Sequence, residues 1–168
     1  MTVDTSVIDK PTGAWRVLLD RAVLAQFAKS VGDTSRVYQR DAEAQAAGLA
    51  GVPAPPTFTF AAPYWSAFRP DEQPADPTKG GGNPMHSIMG DLYAQGALVL
   101  HGEQEFEYHR TPVAGDVLDG VQTITDIYEK SSERAHMTFV VMETQWSDAR
   151  DGSPVVTERF NLIARLKK

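Results

Sequence analysis

The sequence predicts an α+β fold in which a long antiparallel β-sheet is wrapped around one central buried α-helix. The helix is predicted from residues 51–70, whose apolar side chains cover almost the whole circumference, as in a buried helix. The sheet is predicted from the second half of the chain, where long β-branched, alternating segments are separated by short turns. A helix and a sheet with such apolar faces must bury them against each other.

The N-terminal quarter predicts a strand followed by two helices. Residues 1–13 are polar and are expected to be loose, and residues 14–19 can form a strand. The side chain of Asp20 can accept hydrogen bonds from the free N–H groups of a helix that stops at Gly32. Asp41 is expected to cap a second, short Ala-rich helix in the same way.

A Pro- and Gly-rich stretch separates the central helix from the strands. Residues 69–84 contain four prolines and a Gly triplet, so a long surface loop is predicted over 69–90 within a single domain of residues 14–168. The strands that follow are predicted to form a meander over residues 98–110, 117–129, 134–147 and 155–167.

Composition excludes several classes of function. The chain has 168 residues, a net charge of −6 and no cysteine, so it holds no disulfide or thiolate metal site. An acidic chain without a Lys/Arg stripe is not expected to bind nucleic acid. The sequence shows no signal-peptide pattern and no apolar run of about 18 residues, so no membrane association and a cytoplasmic location are expected.

The familiar catalytic and metal-binding motifs are missing. The four histidines show no metal-ligand spacing, and neither a metal nor a cofactor is expected. The Gly triplet lacks the Lys of a phosphate-binding loop, and no serine stands in a nucleophile elbow.

Asp33 is the candidate catalytic carboxylate. It either is an exposed neighbour of the helix end or acts as a general base beside an apolar helix, where desolvation raises a carboxyl pKa. Tyr38, five residues later, can donate a hydrogen bond to it but has an ordinary pKa of about 10. The start of the buried helix either is simply a capped helix end or stabilises an oxyanion with its free N–H groups.

Three motifs carry a family resemblance: "VGD" at 31–33, "GVPAPPTF" at 51–58 and "LHGEQEFEYHRTPVAGDVL" at 100–118. With the predicted fold, they resemble the hot-dog fold of the MaoC-like hydratase/dehydratase family. The third motif is similar to the N-terminal MaoC dehydratase type, to which the mycobacterial (3R)-hydroxyacyl-carrier-protein dehydratase subunits are related.

The resemblance implies chemistry on acyl thioesters of coenzyme A or acyl carrier protein. Active members carry Gly-Asp-x-Asn-Pro-aliphatic-His, whose Asp and His activate water, and a glycine N–H at the central helix that binds the thioester oxygen. Here Asp33 matches the Asp, and Tyr38 stands in place of the His. The Pro-Gly of the family appears as Pro55-Pro56, and because Pro56 has no N–H, the nearest substitute is that of Thr57.

These departures predict a hydratase or dehydratase subunit whose own site is degenerate and which pairs with a catalytic hot-dog protomer. Phe58, Phe60 and Trp65 are either packing residues or walls of an acyl tunnel. Alternatives are a homodimeric enzyme that uses Asp33 with Tyr38 or His86, a non-catalytic acyl-thioester binding module, and a hot-dog thioesterase. The tail of the active motif recurs as "NPMH" at 83–86, but it follows the wrong helix and is taken as coincidence.

Overall fold

The computed structural model describes residues 4–65, 73, 75, 78–79 and 83–167. Five strands form one sheet: β1 Pro11–Leu18, β2 Leu98–Tyr108, β3 Val117–Ser131, β4 Ala135–Asp148 and β5 Pro154–Lys167. The α-helices are α1 Arg21–Ser30, α2 Asp41–Ala46, α3 Phe58–Trp65 and α4 Pro84–Ala94, and short 3-10 helices cover Thr5–Val7 and Arg36–Tyr38. None of the helices in these ranges is both long and apolar enough to span a membrane.

All strand pairs are antiparallel, in the order β1-β3-β4-β5-β2. Only β3, β4 and β5 form the predicted meander, and the prediction that β2 belongs to it is wrong, because β2 crosses over to pair with β5. The segment between β2 and β3 does not form a hairpin turn, because its backbone groups hydrogen-bond to the segment before α3. Ala114 donates to the carbonyl of Val52, and Pro112 accepts from Ala54.

The helix α3 packs against the inner face of the sheet. Phe58 and Ala62 from α3 are fully buried in one cluster with Trp146 of β4 and Leu118 of β3. Trp146 lies over β3 because its cross-strand neighbour is Gly120, where a Cβ would come within 2.5 Å of the indole ring. A second cluster lies under α4 and contains Ile88, Leu92, Ile124, Val140 and Ala164.

The central helix is shorter and less uniformly buried than predicted. It begins at Phe58, after an extended segment in which Pro53 bridges to Val113, because the prolines before it cannot donate helical hydrogen bonds. Pro63 lies inside the helix, as expected. Tyr64 is 85% exposed and Trp65 is 44% exposed, so the prediction that this helix is buried on every side is wrong. The predicted end at residue 70 lies outside the described residues.

Two segments predicted to be irregular are ordered elements. The strand β1 begins at Pro11 within the segment expected to be loose, and Val7 is buried under α4. The helix α4 occupies part of the predicted 69–90 loop, because the Asn83 side chain accepts from the N–H of Met85 and Pro84 takes the first helical position. The "NPMH" tail is therefore a helix cap.

Candidate functional site

Asp33 lies on an exposed turn just beyond α1. The turn begins at Gly32, whose φ of 82° requires a left-handed backbone, and the Asp33 N–H donates to the carbonyl of Ala28. The Asp33 carboxylate accepts from the N–H of Ser35 at 2.8 Å. The carboxylate is thus held in one orientation while its remaining acceptor sites face solvent.

An open groove of about 460 Å³ borders this carboxylate. Its lining comes from the outer side of α1 and from the loop that follows, and consists of Ala25, Gln26, Lys29, Asp33, Thr34 and Gln39. Water and a polar ligand can both reach Asp33 there.

Tyr38 is the half-buried end of a 3-10 helix close to Asp33. Burial raises the pKa of the Tyr38 phenol above its ordinary value, and the neighbouring Asp33 and Tyr108 raise it further. Tyr38 is therefore neutral at physiological pH, a hydrogen-bond donor that does not exchange its proton as a histidine would.

Thr57 holds the free N–H at the start of α3. Its φ of 69° lies in the left-handed region, which favours glycine, and its N–H donates to the Tyr108 hydroxyl at 3.2 Å. The exposed Pro56 precedes it. The position with glycine-like backbone is thus residue 57, so that Pro56-Thr57, rather than Pro55-Pro56, occupies the helix start.

Tyr108 lies between the Tyr38 side of the site and the start of α3, and it was not predicted from the sequence. Burial raises the pKa of its hydroxyl, which the N–H of Thr57 partly offsets. Tyr108 and Asp33 both raise the pKa of the Tyr38 phenol, and Tyr108 accepts from the N–H of Thr57. The structure therefore brings these four residues into one neighbourhood. The signal available was its place on the same strand face as Phe106, inside the 100–118 motif.

The three aromatic candidates of α3 lie on two sides of the helix. Phe58 is fully buried and meets Phe27 of α1 edge to face, as does the part-exposed Trp65. Phe60 faces the sheet and contacts the rings of His101 and Phe160. Phe58 is thus a packing residue, whereas Phe60 lines a cavity.

His86 is exposed in the first turn of α4. No hydrogen bond or ion pair joins it to Asp33 or Tyr38 in the part of the chain that the structure describes. Over the same residues, no three His, Asp or Glu side chains converge in a way that could hold a metal ion.

Glu158 is a second residue that sequence reasoning missed. It is 5% exposed on the inner face of β5 and accepts from the Thr59 hydroxyl of α3 at 2.8 Å. Burial raises the pKa of this carboxyl, while the hydrogen bond from Thr59 opposes the shift. The burial of Glu158 could not be predicted from the sequence, because the alternation of a strand does not show which of its two faces is buried.

A long antiparallel sheet wrapped around a central helix, here five strands around α3, is the hot-dog fold, and solved dehydratases share it. The C-terminally truncated HadBC (3R-hydroxyacyl-ACP dehydratase) complex from Mycobacterium tuberculosis superposes with a TM-score of 0.63 at 17% identity, covering 96% of this chain and 99% of that chain. A MaoC-like dehydratase gives a TM-score of 0.68 at 22% identity, covering 95% of this chain and 42% of that one. The predicted fold class is therefore confirmed.

The family follows from the sequence match. A family model described as FAS1-like, dehydratase domain region, matches residues 6–158, and the chain belongs to that family. A UPF0336 protein of Streptomyces griseus is 34% identical over 168 residues, which cover 98% of this chain and 97% of the relative. The resemblance to the MaoC-like hydratases and dehydratases is confirmed at this level.

Proposed function

We propose that this chain is a subunit of a hydratase or dehydratase that acts on acyl thioesters of coenzyme A or acyl carrier protein. The subunit binds the thioester and contributes Asp33, while a second hot-dog protomer supplies the complete catalytic pair. One observation carries the proposal: the Tyr38 phenol, which lies close to both Asp33 and Tyr108, stands where water activation calls for a histidine.

Asp33 keeps the ability to hold and polarise a water molecule. Adding water across a double bond next to a thioester also needs a group that delivers or removes a proton at the neighbouring carbon. Tyr38 remains neutral because its pKa is raised, so it donates a hydrogen bond but does not cycle between acid and base. Lacking such a group typically costs 10²- to 10⁴-fold in rate.

The N–H of Thr57 is the donor available for a thioester oxygen. In the structure its acceptor is the Tyr108 hydroxyl, so an incoming thioester must displace that hydroxyl or share the N–H with it. This competition weakens stabilisation of an enolate but still permits binding. The site therefore fits a thioester-binding subunit better than a fast independent enzyme.

The edge strand β2 is the surface proposed for the second protomer. Its outer edge carries no neighbouring strand among the described residues, and Leu98 and Leu100 are 56% and 41% exposed. Open strand edges pair readily with another chain. The HadBC dehydratase that shares the fold is itself a complex. The proposed assembly is a dimer joined through β2.

The test compares the purified chain with the chain co-expressed with a hot-dog protein that carries the intact Gly-Asp-x-Asn-Pro-x-His motif. Both samples receive a short trans-2-enoyl-CoA, and loss of the enoyl absorbance is followed. We expect turnover in the complex only. Asp33→Asn in this chain should lower the rate of the complex modestly, whereas replacing the partner's motif histidine should abolish it.

The alternatives predict other outcomes. Robust turnover by the chain alone that Asp33→Asn abolishes would favour the homodimeric enzyme with Asp33 and Tyr38. Tight acyl-CoA binding without turnover in either sample would favour a binding module. Either result would overturn the proposed division of labour between two protomers.

A further inference from the structure

A row of polar side chains crosses the inner face of the sheet, where an apolar lining is the rule. Gln122, Thr144 and Glu158 lie directly opposite one another on β3, β4 and β5. The Thr12 hydroxyl donates to the Gln122 side chain at 2.8 Å, and the Gln122 amide donates to Thr144 at 3.3 Å. Burying this row is costly unless every polar group has a partner.

A cavity of about 150 Å³ lies between this row and α3. Its floor is formed by Gln122, Thr144 and Glu158, and its walls are mainly aromatic: Trp15, Phe60, Tyr64 and Phe160. Because Tyr64 is 85% exposed, the cavity extends to the protein surface. The volume admits a group of roughly five non-hydrogen atoms.

Glu158 retains acceptor capacity toward the cavity. The Thr59 hydroxyl donates to its Oε2 atom at 2.8 Å. An ionised carboxylate offers about four acceptor positions, so acceptor positions remain for a ligand after the bond from Thr59. A carboxyl needed only for packing would be sealed, whereas Glu158 forms part of a cavity floor.

The cavity and the proposed thioester site are neighbours. Thr59 and Phe60 follow Thr57 within one turn of α3, about 5 Å along the helix. On β2, Tyr108, the acceptor of the Thr57 N–H, lies two residues from Phe106, which is the cross-strand partner of Glu158. A short acyl chain whose thioester lies at Thr57 can therefore place its distal end against Glu158.

We infer that this cavity is a specificity subsite for short acyl groups that carry a hydroxyl at their distal end, with the Glu158 carboxylate accepting a hydrogen bond from that hydroxyl. The aromatic walls contact the methylene carbons. A plain alkyl end is disfavoured, because it covers the remaining acceptor positions of the Glu158 carboxylate without supplying a donor. The inference rests on the proposed function only for the thioester carrier, since the subsite itself is formed by residues outside the Asp33 neighbourhood.

The test measures binding of two probes of almost equal size, 5-hydroxypentanoyl-CoA and hexanoyl-CoA, by calorimetry on the full chain, alone and with its hot-dog partner. A hydrogen bond to a charged acceptor predicts roughly tenfold tighter binding of the hydroxylated probe. Glu158→Gln should reduce this preference to about threefold or less, and Thr144→Val should lower it by a smaller factor. Glu133→Gln makes the same charge change in an exposed turn and should leave the preference intact.

The outcomes separate the subsite from the proposed function. The subsite would be overturned if hexanoyl-CoA bound equally well or more tightly, or if neither probe bound. An unchanged hydroxyl preference in a Glu158→Gln protein with normal thermal unfolding would overturn it as well. A hydroxyl preference that depends on Glu158 would support the subsite even if no sample hydrates an enoyl-CoA. Hydration that depends on Asp33 without any hydroxyl preference would leave the proposed function and remove the subsite.

Discussion

The backbone N–H of Thr57 donates to the Tyr108 hydroxyl at 3.2 Å. The start of the central helix is thus hydrogen-bonded to a side chain of the edge strand β2. Thr57, which donates this bond, has a φ of 69°, in the left-handed backbone region. Left-handed backbone costs a β-branched residue roughly 1–2 kcal/mol. This conformational strain lies at the residue whose N–H is proposed to bind the thioester oxygen.

Thr57→Gly should therefore raise the free energy of unfolding. Glycine adopts positive φ without steric cost, although it loses more backbone entropy on folding, and the net gain is expected to be about 0.5–1 kcal/mol. Urea unfolding of the two proteins gives the difference directly.

A matched control distinguishes strain relief from a general effect of glycine. Thr111 is also an exposed threonine, but its φ is not positive. Thr111→Gly should destabilise the protein, because only the entropy cost remains. Equal effects of the two substitutions would show that the Thr57 backbone stores no strain.

Tyr38→His should create independent hydratase activity in this chain. The substitution places an imidazole, which exchanges protons near neutral pH, beside Asp33, where the phenol of raised pKa does not. We expect a gain near 10²-fold, the lower end of what a general acid–base contributes, because Tyr108 still competes for the Thr57 N–H. Enoyl-CoA hydration by the isolated variant is the measurement.

The double variant Asp33→Asn/Tyr38→His is the control for this gain. Its imidazole lacks the carboxylate partner, so the added rate should largely disappear. Activity that persists in the double variant would show that the histidine acts without Asp33 and that the two positions do not form a pair.

Local chemistry made much of the fold predictable. The Asp20 side chain does cap α1 by accepting from the N–H groups of Ala22 and Val23, as its place before an apolar helical pattern predicts. The long strands β3, β4 and β5 were likewise predictable to within two residues at each end, since alternation and turns are local signals.

Long-range pairing was not predictable from the same signals. Nothing in the residues of β2 distinguishes a partner in β5 from one in β3, and the crossover is set by backbone bonds to residues 52–54. The candidate site shows the same limit. Asp33 and Tyr38 are close in sequence and were found, whereas Tyr108 and Glu158 reach the site only through tertiary structure.

Arg110 is expected to be important for stability near the end of β2. Its guanidinium binds both Asp116 and Asp148, two carboxylates that are almost fully buried. Without Arg110, the two carboxylates keep only Arg150 of these two guanidinium partners, and Arg150 is 76% exposed. Arg110→Gln should thus destabilise the protein clearly more than Arg21→Gln, whose ion pair with Asp41 is exposed on both sides.

The pH dependence of the Arg110 effect has a defined sign. Hydrogen bonds from Arg150 and Arg110 hold the pKa of Asp148 below its ordinary value. The stabilisation is then present above the ordinary Asp pKa of about 3.9 and is lost as the pH falls through the lower folded-state value. The gap between wild type and Arg110→Gln in urea unfolding should narrow under acidic conditions, and a constant gap would rule out the ionised carboxylates as its cause.

Glu158→Gln should stabilise the protein at neutral pH, and the gain should shrink as the pH falls. Because burial raises the pKa of Glu158, the folded state holds its proton to higher pH than the unfolded state does. The stability that the neutral carboxyl contributes is fully present below the ordinary Glu pKa of about 4.3 and is lost as the pH rises through the folded-state value. Glutamine has no such loss and can still accept from Thr59. Urea unfolding of both proteins between about pH 4 and pH 8 measures the difference. A gain that did not change with pH, or a loss at neutral pH, would mean that the carboxylate is already compensated within the polar row and has no need of a ligand.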